Sequence, residues 1–437
     1  MEVRLMADIV LLGLFIGVLL VLYLFEVPVV YALGLTSLIL MWTTSIPFEP
    51  LLVAQTMVSG SNSFVLLAIP LFLQTGLLMN KLGLTDVIFA FAKAIIGPVR
   101  GGLAHVNIIA SIIFSGMTGT AAADAAGLGA IEYRAMREEG YDQGFSVAVT
   151  GSSSIIGPII PPSVPLIIYG IIAQVSIGTL FIAGLVPGLV MGVGLMGLCT
   201  YYAHKHDYER GDWWSLGNIS RTGIRALPAL GTPILIIGGI LGGLFTATEA
   251  GAIALFYTLL IGMVFYDGFT LSELIDSLEE GMTHTATLTF IVAAASLYGF
   301  LIRRAQLPEI LAQAITTVST DPLVLMLLIA GVLFIVGLML ETIAAITILT
   351  PVFLPIIEQT AISPIHFGVV MIVTLMIGLL TPPFGVILFV LNAVTGVSLE
   401  RITRHMVPFY IPLLLTLVLI IVFPELVMWL PRAMGLA

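Results

Sequence analysis

Apolar stretches of about 20 residues recur from one end of the chain to the other, separated by short polar segments. A helix needs a stretch of that length to cross the hydrocarbon core of a bilayer, whereas the strands of an outer-membrane barrel are shorter and alternate in polarity. The pattern therefore predicts an all-α polytopic membrane protein and excludes a barrel. No small-residue cleavage site follows the first apolar stretch, so we expect it to be retained as a span.

Uninterrupted spans are expected in both halves of the chain. Those of the first half cover residues 5–25, 27–45, 63–80 and 178–200. Those of the second half cover residues 228–247, 248–267, 286–302 and 405–425. Two segments between spans, at 85–98 and 307–318, have the charged and apolar faces of helices that lie along the membrane interface.

Each half also carries an apolar stretch that a proline pair interrupts. Residues 157–162 read GPIIPP and residues 378–383 read GLLTPP, so the first prolines lie 221 positions apart (382 minus 161). Proline lacks an amide donor and keeps its predecessor out of the helical region, so each pair breaks a helix. Two broken membrane helices at matching positions, expected at 144–175 and 366–397, indicate a transporter's central binding site. A kink that only fits each helix into a bundle is the alternative.

A further element precedes each broken helix. Residues 104–114 are apolar but too short to cross, and the small, polar stretch SGMTGT follows them, which is typical of a re-entrant helical hairpin. We expect this hairpin over residues 104–131 and its counterpart over 322–357. The first arm of the second hairpin is nearly long enough to span, so two ordinary crossings remain an alternative there.

The spacing of other landmarks indicates that the chain is a duplication. Pro187 and Pro408 share the offset of 221 (408 minus 187), and Gly76 and Gly299 differ from it by two. We therefore predict two repeats, at residues 1–225 and 226–437, with a scaffold domain and a transport domain each drawn from both. Each repeat has an odd number of crossings, so the repeats are inverted in the membrane.

Basic residues predict the orientation. Of the 15 Lys and Arg residues, only Arg4, Arg303, Arg304 and Arg432 fall on one predicted side, which leaves 11 (15 minus 4) on the other. The positive-inside rule places the larger group in the cytoplasm and both termini in the periplasm of a bacterial or archaeal cell, within its cytoplasmic membrane. The first hairpin then enters from the cytoplasm and the second from outside.

Composition narrows the class of protein. Hydrophobic residues make up 59% of the chain and charged residues 9%, and the mean hydropathy is +1.16, so membrane lipid must surround much of it. No basic cluster suggests nucleic acid, no phosphate-binding loop indicates nucleotide hydrolysis, and the histidines lack the spacing of a transition-metal site. We expect no enzyme and no nucleic-acid partner, and an intramembrane enzyme acting on lipid has no motif in its favour.

The first hairpin tip holds candidate ligands for a small cation. Asp124 lies in a run of small residues after the tip, and an acid at membrane depth is a functional candidate. Hydroxyls, carboxylates and helix-end carbonyls are the hard ligands that sodium needs. The sodium ligands predicted in the first hairpin and break are Ser115, Thr118, Gly119, Thr120, Asp124, Gly151, Ser153 and Ser154. The alternative is a helix-packing seam in which Asp124 pairs locally.

The second hairpin tip offers a related set, because Glu341 lies 223 positions after Thr118 (341 minus 118), at the turn itself. A surface turn among lipid headgroups is the alternative for Glu341. Half-helix N-termini at the breaks offer amides and positive dipole ends to a carboxylate substrate. The predicted sodium ligands are Gly337, Leu340, Glu341, Thr342, Thr381 and Pro382. The predicted substrate contacts are Pro161, Pro162, Ser163, Pro383, Gly385 and Asn392.

Three segments resemble the large membrane subunit of tripartite ATP-independent periplasmic (TRAP) transporters. They are residues 114–129 (FSGMTGTAAADAAGLG), 157–170 (GPIIPPSVPLIIYG) and 381–385 (TPPFG). The likeness covers essentially the whole chain, and the long hairpin motif is specific. The resemblance implies an elevator architecture like that of the ion transporter superfamily, in which a transport domain of hairpins and broken helices slides against a scaffold. The residues at the family's corresponding positions are Thr118, Thr120, Asp124, Ser153, Ser154, Glu341, Thr342 and Thr381.

The resemblance also implies a function and partners. The expected function is sodium-coupled uptake of an organic acid, such as a C4-dicarboxylate or a sugar acid, with Na⁺ as the coupling ion. The expected partners are a small four-helix membrane subunit, supplied as a separate chain, and a periplasmic binding protein that delivers the substrate. A carboxylate carrier that needs no binding protein and an ion channel are the alternatives.

Overall fold

The computed structural model describes residues 17–19, 21–22, 25, 27–43, 49–96, 99–118, 120–208, 210, 213–266, 268–306 and 321–436. Within these residues the regular structure is helical, apart from an isolated bridge between Arg100 and Arg210. The predicted interfacial helix at 307–318 lies outside the described residues, as does most of the predicted span at 5–25.

The described helices follow a similar order in the two halves of the chain. The first ten are α1 (Val29–Thr43), α2 (Pro50–Ser61), α3 (Ala68–Lys81), α4 (Leu84–Ile96), α5 (Gly102–Thr118), α6 (Ala121–Ala126), α7 (Leu128–Glu138), α8 (Gln143–Ser154), α9 (Val164–Ala173) and α10 (Ile177–Lys205). The next ten are α11 (Leu216–Leu241), α12 (Ala247–Phe265), α13 (Leu271–Arg304), α14 (Pro322–Met339), α15 (Thr342–Glu358), α16 (Pro364–Leu379), α17 (Val386–Thr395), α18 (Leu399–Met406), α19 (Tyr410–Val422) and α20 (Glu425–Ala433).

Seven of the described helical segments are long and apolar enough to cross a membrane, which confirms the prediction of a polytopic helical membrane protein. Local capping chemistry fixes where several of them begin. Ser176 and Ser215 cap α10 and α11, and Thr246 and Thr270 form capping boxes with Glu249 and Glu273 at α12 and α13. These caps satisfy amide donors at helix starts that would otherwise be unpaired.

The helices α1, α2, α3, α11, α12 and α13 pack against one another and form one group. α13 is central because it contacts α1, α2 and α3. A buried hydrogen bond of 2.9 Å, from Gln74 Nε2 to Ser277 Oγ, joins α3 to α13. Gly281 makes room for it, since a Cβ there would lie 2.1 Å from Gln74 Oε1.

The second group contains two helical hairpins and two broken helices. The first hairpin is α5 followed by α6 and α7, and the second is α14 followed by α15. The first broken helix is α8 and α9, separated by residues 155–163 (the first break), and the second is α16 and α17, separated by residues 380–385 (the second break). Both proline pairs have cis peptide bonds.

The predicted repeat boundary at 225/226 lies within the continuous helix α11, and the division into repeats stays a prediction. Two other predicted boundaries are wrong. The span expected from residue 286 begins at Leu271. Charged residues on the first turns of α13 lower the local hydropathy without ending the helix. The first hairpin extends to Glu138 rather than 131 for the same reason. The chain also has two helices that the hydropathy pattern does not predict, α2 and α20.

Candidate functional site: hairpin tips and helix breaks

The two hairpins and the two broken helices pack crosswise. Within each half, the first arm of the hairpin lies against the first part of the broken helix: α5 on α8, and α14 on α16. After each break the partner changes, because α9 packs on α15 and α17 packs on α6. Each break therefore leads into a half-helix that contacts the hairpin of the other half.

Asp124 is buried between the arms of the first hairpin, with 1% of its surface exposed. Its Oδ2 accepts a hydrogen bond of 3.3 Å from Ser111 Oγ on the opposite arm, and its Oδ1 has no hydrogen-bond partner among the described residues. Thr120 caps α6, since its hydroxyl accepts from the Ala123 amide. For residues 115–118 only the backbone is described, and Gly119 lies outside the described residues.

A buried polar network joins the first hairpin to the first broken helix. Asn107 Nδ2 donates to Thr150 Oγ1 at 2.9 Å, and Ser153 Oγ donates to Asn107 Oδ1 at 2.7 Å. The sequence prediction included Ser153 but missed Asn107, although an amide in an otherwise apolar arm was a usable signal. Asn107 fixes the direction in which the Ser153 hydroxyl points.

The other predicted ligands near the first break, Gly151 and Ser154, make contacts within α8 or allow a neighbouring helix to pack closely against it. Ser154 Oγ donates to the Gly151 carbonyl at 2.9 Å, so that carbonyl is at least partly satisfied within α8. Gly151 allows a close approach by α17, because a Cβ there would lie 2.6 Å from Leu391 Cδ1.

The first break is closed. Residues 155–163 are all buried. The Ser163 hydroxyl donates a hydrogen bond to the Pro158 carbonyl and accepts one of 3.1 Å from the Leu166 amide. It therefore pairs a backbone carbonyl within the break and also caps α9. Pro161 and Pro162 are buried, so they offer little surface to a ligand in this conformation.

Glu341 forms the turn of the second hairpin and caps α15. Its Oε2 accepts from the amides of Ile343 and Ala344 at 2.9 and 3.3 Å. Thr120 holds the same capping position in the first hairpin, 221 residues earlier (341 minus 120), so the counterpart of Glu341 is Thr120 rather than Thr118 as predicted. Beside it, Leu340 and Thr342 are buried, and Thr342 Oγ1 has no hydrogen-bond partner among the described residues.

The second break is more open than the first. Thr381 Oγ1 donates to the Ile377 carbonyl at 2.8 Å, and Tyr410 Oη donates to the Leu380 carbonyl at 2.7 Å. Pro382 is half-buried, whereas Pro383 and Phe384 are exposed. No side chain among the described residues caps the N-terminus of α17, which begins after Gly385.

Asn392 does not line the second break. Its Nδ2 donates to the Val397 carbonyl at 2.7 Å, beyond the C-terminal end of α17. This amide closes the end of the helix, where Gly396 adopts a left-handed conformation. In this conformation the Asn392 side chain makes a local contact, and its role as a substrate contact stays a prediction.

Two helical hairpins and two broken helices, in a chain whose described residues include seven helical segments long and apolar enough to cross a membrane, define a polytopic membrane permease. The family described as "Tripartite ATP-independent periplasmic transporter, DctM component" matches residues 16–426, and the chain belongs to this family. The resemblance found in the hairpin and proline-pair motifs is thereby confirmed. The family is one of transporter subunits rather than of enzymes.

The proteins similar to this chain include the following two relatives and one solved structure. The sialic acid TRAP transporter large permease protein SiaM of Vibrio cholerae is 42% identical over 399 residues, which cover 91% of this chain and 92% of the relative. The 2,3-diketo-L-gulonate TRAP transporter large permease protein YiaN of Escherichia coli is 35% identical over 92% of this chain and 94% of its own length. The YdaH transporter of Alcanivorax borkumensis, whose topology is described as unusual, has a TM-score of 0.62 at 15% identity, covering 96% of this chain and 100% of that one, and so shares the fold alone.

Proposed function

We propose that this permease couples the inward movement of sodium ions to the uptake of an organic acid across the inner membrane of a bacterium. The observation that carries the proposal is the crosswise packing of the hairpins and half-helices, because it sets each helix break of one half against the hairpin of the other, where acids and hydroxyls lie. The named substrates of the two relatives, sialic acid and 2,3-diketo-L-gulonate, support a carboxylate as the transported species.

The chemistry of the hairpin region fits sodium. Asp124 Oδ1 and Thr342 Oγ1 are buried oxygens without hydrogen-bond partners among the described residues, one from each hairpin. Buried oxygens of this kind are costly unless something binds them, and hard oxygen donors suit a small hard cation. A bound cation would neutralise the charge of Asp124. Asp124 in the first hairpin and Thr342 in the second would each contribute an oxygen ligand, together with backbone carbonyls of the tips.

The asymmetry between the breaks suggests where the acid binds. Ser163 caps α9 at the buried first break, whereas α17 starts without a side-chain cap beside the exposed Pro383. The amides at an uncapped helix start are available to an anion, and the positive end of the helix dipole attracts it. We therefore assign the substrate carboxylate to the second break, next to Gly385.

The remaining parts of the proposal follow the family. A small membrane subunit and a periplasmic substrate-binding protein would complete the transporter. The hairpin group would slide as an elevator against the group formed by α1, α2, α3, α11, α12 and α13. Both termini would lie in the periplasm, since the basic residues concentrate on the other side.

Uptake by proteoliposomes containing the full chain, its small subunit and its binding protein tests the proposal. We expect saturable uptake of the acid carried by the binding protein, driven by an inward sodium gradient. Asp124→Asn and Thr342→Val should reduce uptake while membrane insertion and expression stay normal. Uptake that does not depend on the sodium gradient would contradict sodium coupling. Uptake without the binding protein would favour a simple carrier, and an ohmic current would favour a channel.

A further inference from the structure

A second carboxylate is buried in the first hairpin, and the site described above does not use it. Glu132, on α7, exposes 1% of its surface. Its Oε1 has no hydrogen-bond partner among the described residues. An ionised carboxylate without a partner is expensive at this burial, so this oxygen needs a ligand.

The neighbours of Glu132 show which way it faces. Gly129 and Met136 lie one turn before and one turn after it, on the same face of α7. A Cβ on Gly129 would lie 2.6 Å from Thr150 Cγ2, and Asn107 Nδ2 approaches Met136 Sδ at 3.9 Å. Glu132 therefore points into the seam between α5, α7 and α8, beside the network of Asn107 and Thr150.

No basic side chain in the described part of the chain neutralises this seam. Arg134 donates to the Ala130 carbonyl and Arg137 to the Tyr141 carbonyl, both on the outer side of the hairpin. The ion pairs of the described residues include neither Glu132 nor Asp124. The two acids border the same seam, since a Cβ on Gly129, one turn before Glu132, would lie 3.4 Å from the carbonyl oxygen of Asp124. Two ionised carboxylates buried in one seam repel each other unless a cation lies between them.

We propose that Glu132 and Asp124 together hold a sodium ion in this seam, on the cytoplasmic side of the hairpin tip. The proposal rests on sodium coupling, and it adds Glu132 as a second acidic ligand through which the ion passes on its way into the cell. Each acid offers one orphaned oxygen, and Thr150 and Ser111 supply hydroxyls in the same seam. Two carboxylates with hydroxyls form a hard oxygen site for such a cation.

Equilibrium binding of radioactive sodium to the full chain purified in detergent tests the proposal. Glu132→Gln keeps the shape of the side chain and removes its charge. We expect it to raise the half-saturating sodium concentration by about tenfold or more, as loss of a supporting ligand does at metal sites. Glu132→Asp should recover part of the affinity. Glu138→Gln is the matched control, because Glu138 is exposed on the same helix and should bind sodium like the wild type.

The outcomes separate the two proposals. If the wild type binds no sodium, the sodium coupling itself is wrong. If the wild type binds sodium and Glu132→Gln binds it equally well, only the role of Glu132 is wrong. If Glu132→Gln and the wild type bind sodium equally well but the pH dependence of that binding differs between them, a proton neutralises Glu132. This result also overturns the proposal. If Glu132→Gln does not fold, the Glu132→Asp variant tests the proposal instead. Its side chain is shorter and should coordinate the ion less well, so a sodium affinity equal to that of the wild type would contradict a coordinating role.

Discussion

Gly337 of α14 and Gly378 of α16 touch through their backbones: a Cβ on Gly378 would lie 2.6 Å from the carbonyl carbon of Gly337. The second hairpin can approach the second broken helix this closely only because both residues lack side chains. The contact lies close to the hairpin turn at Glu341 and to the second break, and so sets their separation. Sequence analysis singled out Gly337 as a cation ligand, whereas its packing role is what the structure describes.

Gly378→Ala should destabilise the protein by about 1 to 3 kcal/mol, because the backbone of Gly337 cannot move aside as a side chain would. Gly331→Ala is the control, since Gly331 lies on the same helix as Gly337 and a Cβ there would have nothing within 4 Å. Thermal unfolding of both variants in detergent measures the difference. Equal melting temperatures would contradict the tight contact.

Glu341 has two separable roles, as a cap of α15 and as a proposed sodium ligand. Glu341→Ala removes the acceptor of the Ile343 and Ala344 amides and should cost about 1 kcal/mol of stability. Glu341→Gln keeps an acceptor oxygen, so it should retain most of the stability but lose sodium-dependent uptake. Glu358→Gln, on the exposed end of the same helix, should change neither property. Normal uptake by Glu341→Gln would remove Glu341 from the sodium site.

Ser163→Ala should open the first break. The change leaves the Pro158 carbonyl and the Leu166 amide without their side-chain partner, in a buried segment. We expect a loss of about 1 to 2 kcal/mol. Ser398→Ala is the matched control, because Ser398 occupies the same position before α18 without a side-chain cap hydrogen bond. Differential scanning fluorimetry of the two variants compares them, and equal stabilities would show that Ser163 does not hold the break.

Asp142 makes the stability depend on acid pH. Partial burial raises its pKa, but the Phe145 amide and the nearby His405 and Arg401 outweigh burial and hold the pKa below its ordinary value. A lowered pKa contributes stability that is fully present above the unfolded value of about 3.9 and is lost as the pH falls below it. The Asp142→Asn variant should therefore have a lower melting temperature than the wild type at pH 7. Its melting temperature should also fall less than that of the wild type when the pH is lowered.

Melting curves between pH 7 and pH 3 check the role of Asp142. Arg401 Nη2 lies 3.2 Å from Asp142 Oδ2 and links α18 to the start of α8, so the effect reports on this junction. The exposed Asp276 provides the control substitution, Asp276→Asn, which should follow the wild-type curve. An Asp142→Asn curve that runs parallel to the wild type would contradict the prediction.

The inverted topology can be tested by labelling. Cys199 is buried and is the only cysteine in the sequence, so replacing it with alanine gives a background without thiols. Cysteines introduced by Glu138→Cys and Arg304→Cys would both be exposed. A membrane-impermeant maleimide added to intact cells should label position 304 only, and position 138 only after permeabilisation. Labelling of both from the same side would defeat the predicted orientation.

Local features made much of the fold predictable from the sequence. Helices, the first hairpin turn and both breaks depend on apolar length, small polar residues and proline, which act within a few residues of themselves. The same local reasoning failed at α13, whose first turns are charged, and at the end of the first hairpin, where α7 continues to Glu138. Hydropathy measures how a segment partitions into lipid, and a helix continues beyond the membrane when its hydrogen bonds and cap allow it.

The sequence by itself determined the class of protein, the two proline breaks and the acids at Asp124 and Glu341. Only the tertiary structure decided that each half-helix packs on the hairpin of the other half, that Asn107 joins Ser153, and that Glu132 is buried without a hydrogen-bond partner for its Oε1 among the described residues. It also decided that the first break is sealed by Ser163 while the second is open. These contacts join residues that are far apart in the chain. They depend on how the side chains of different helices pack together, which the local pattern of the sequence does not encode.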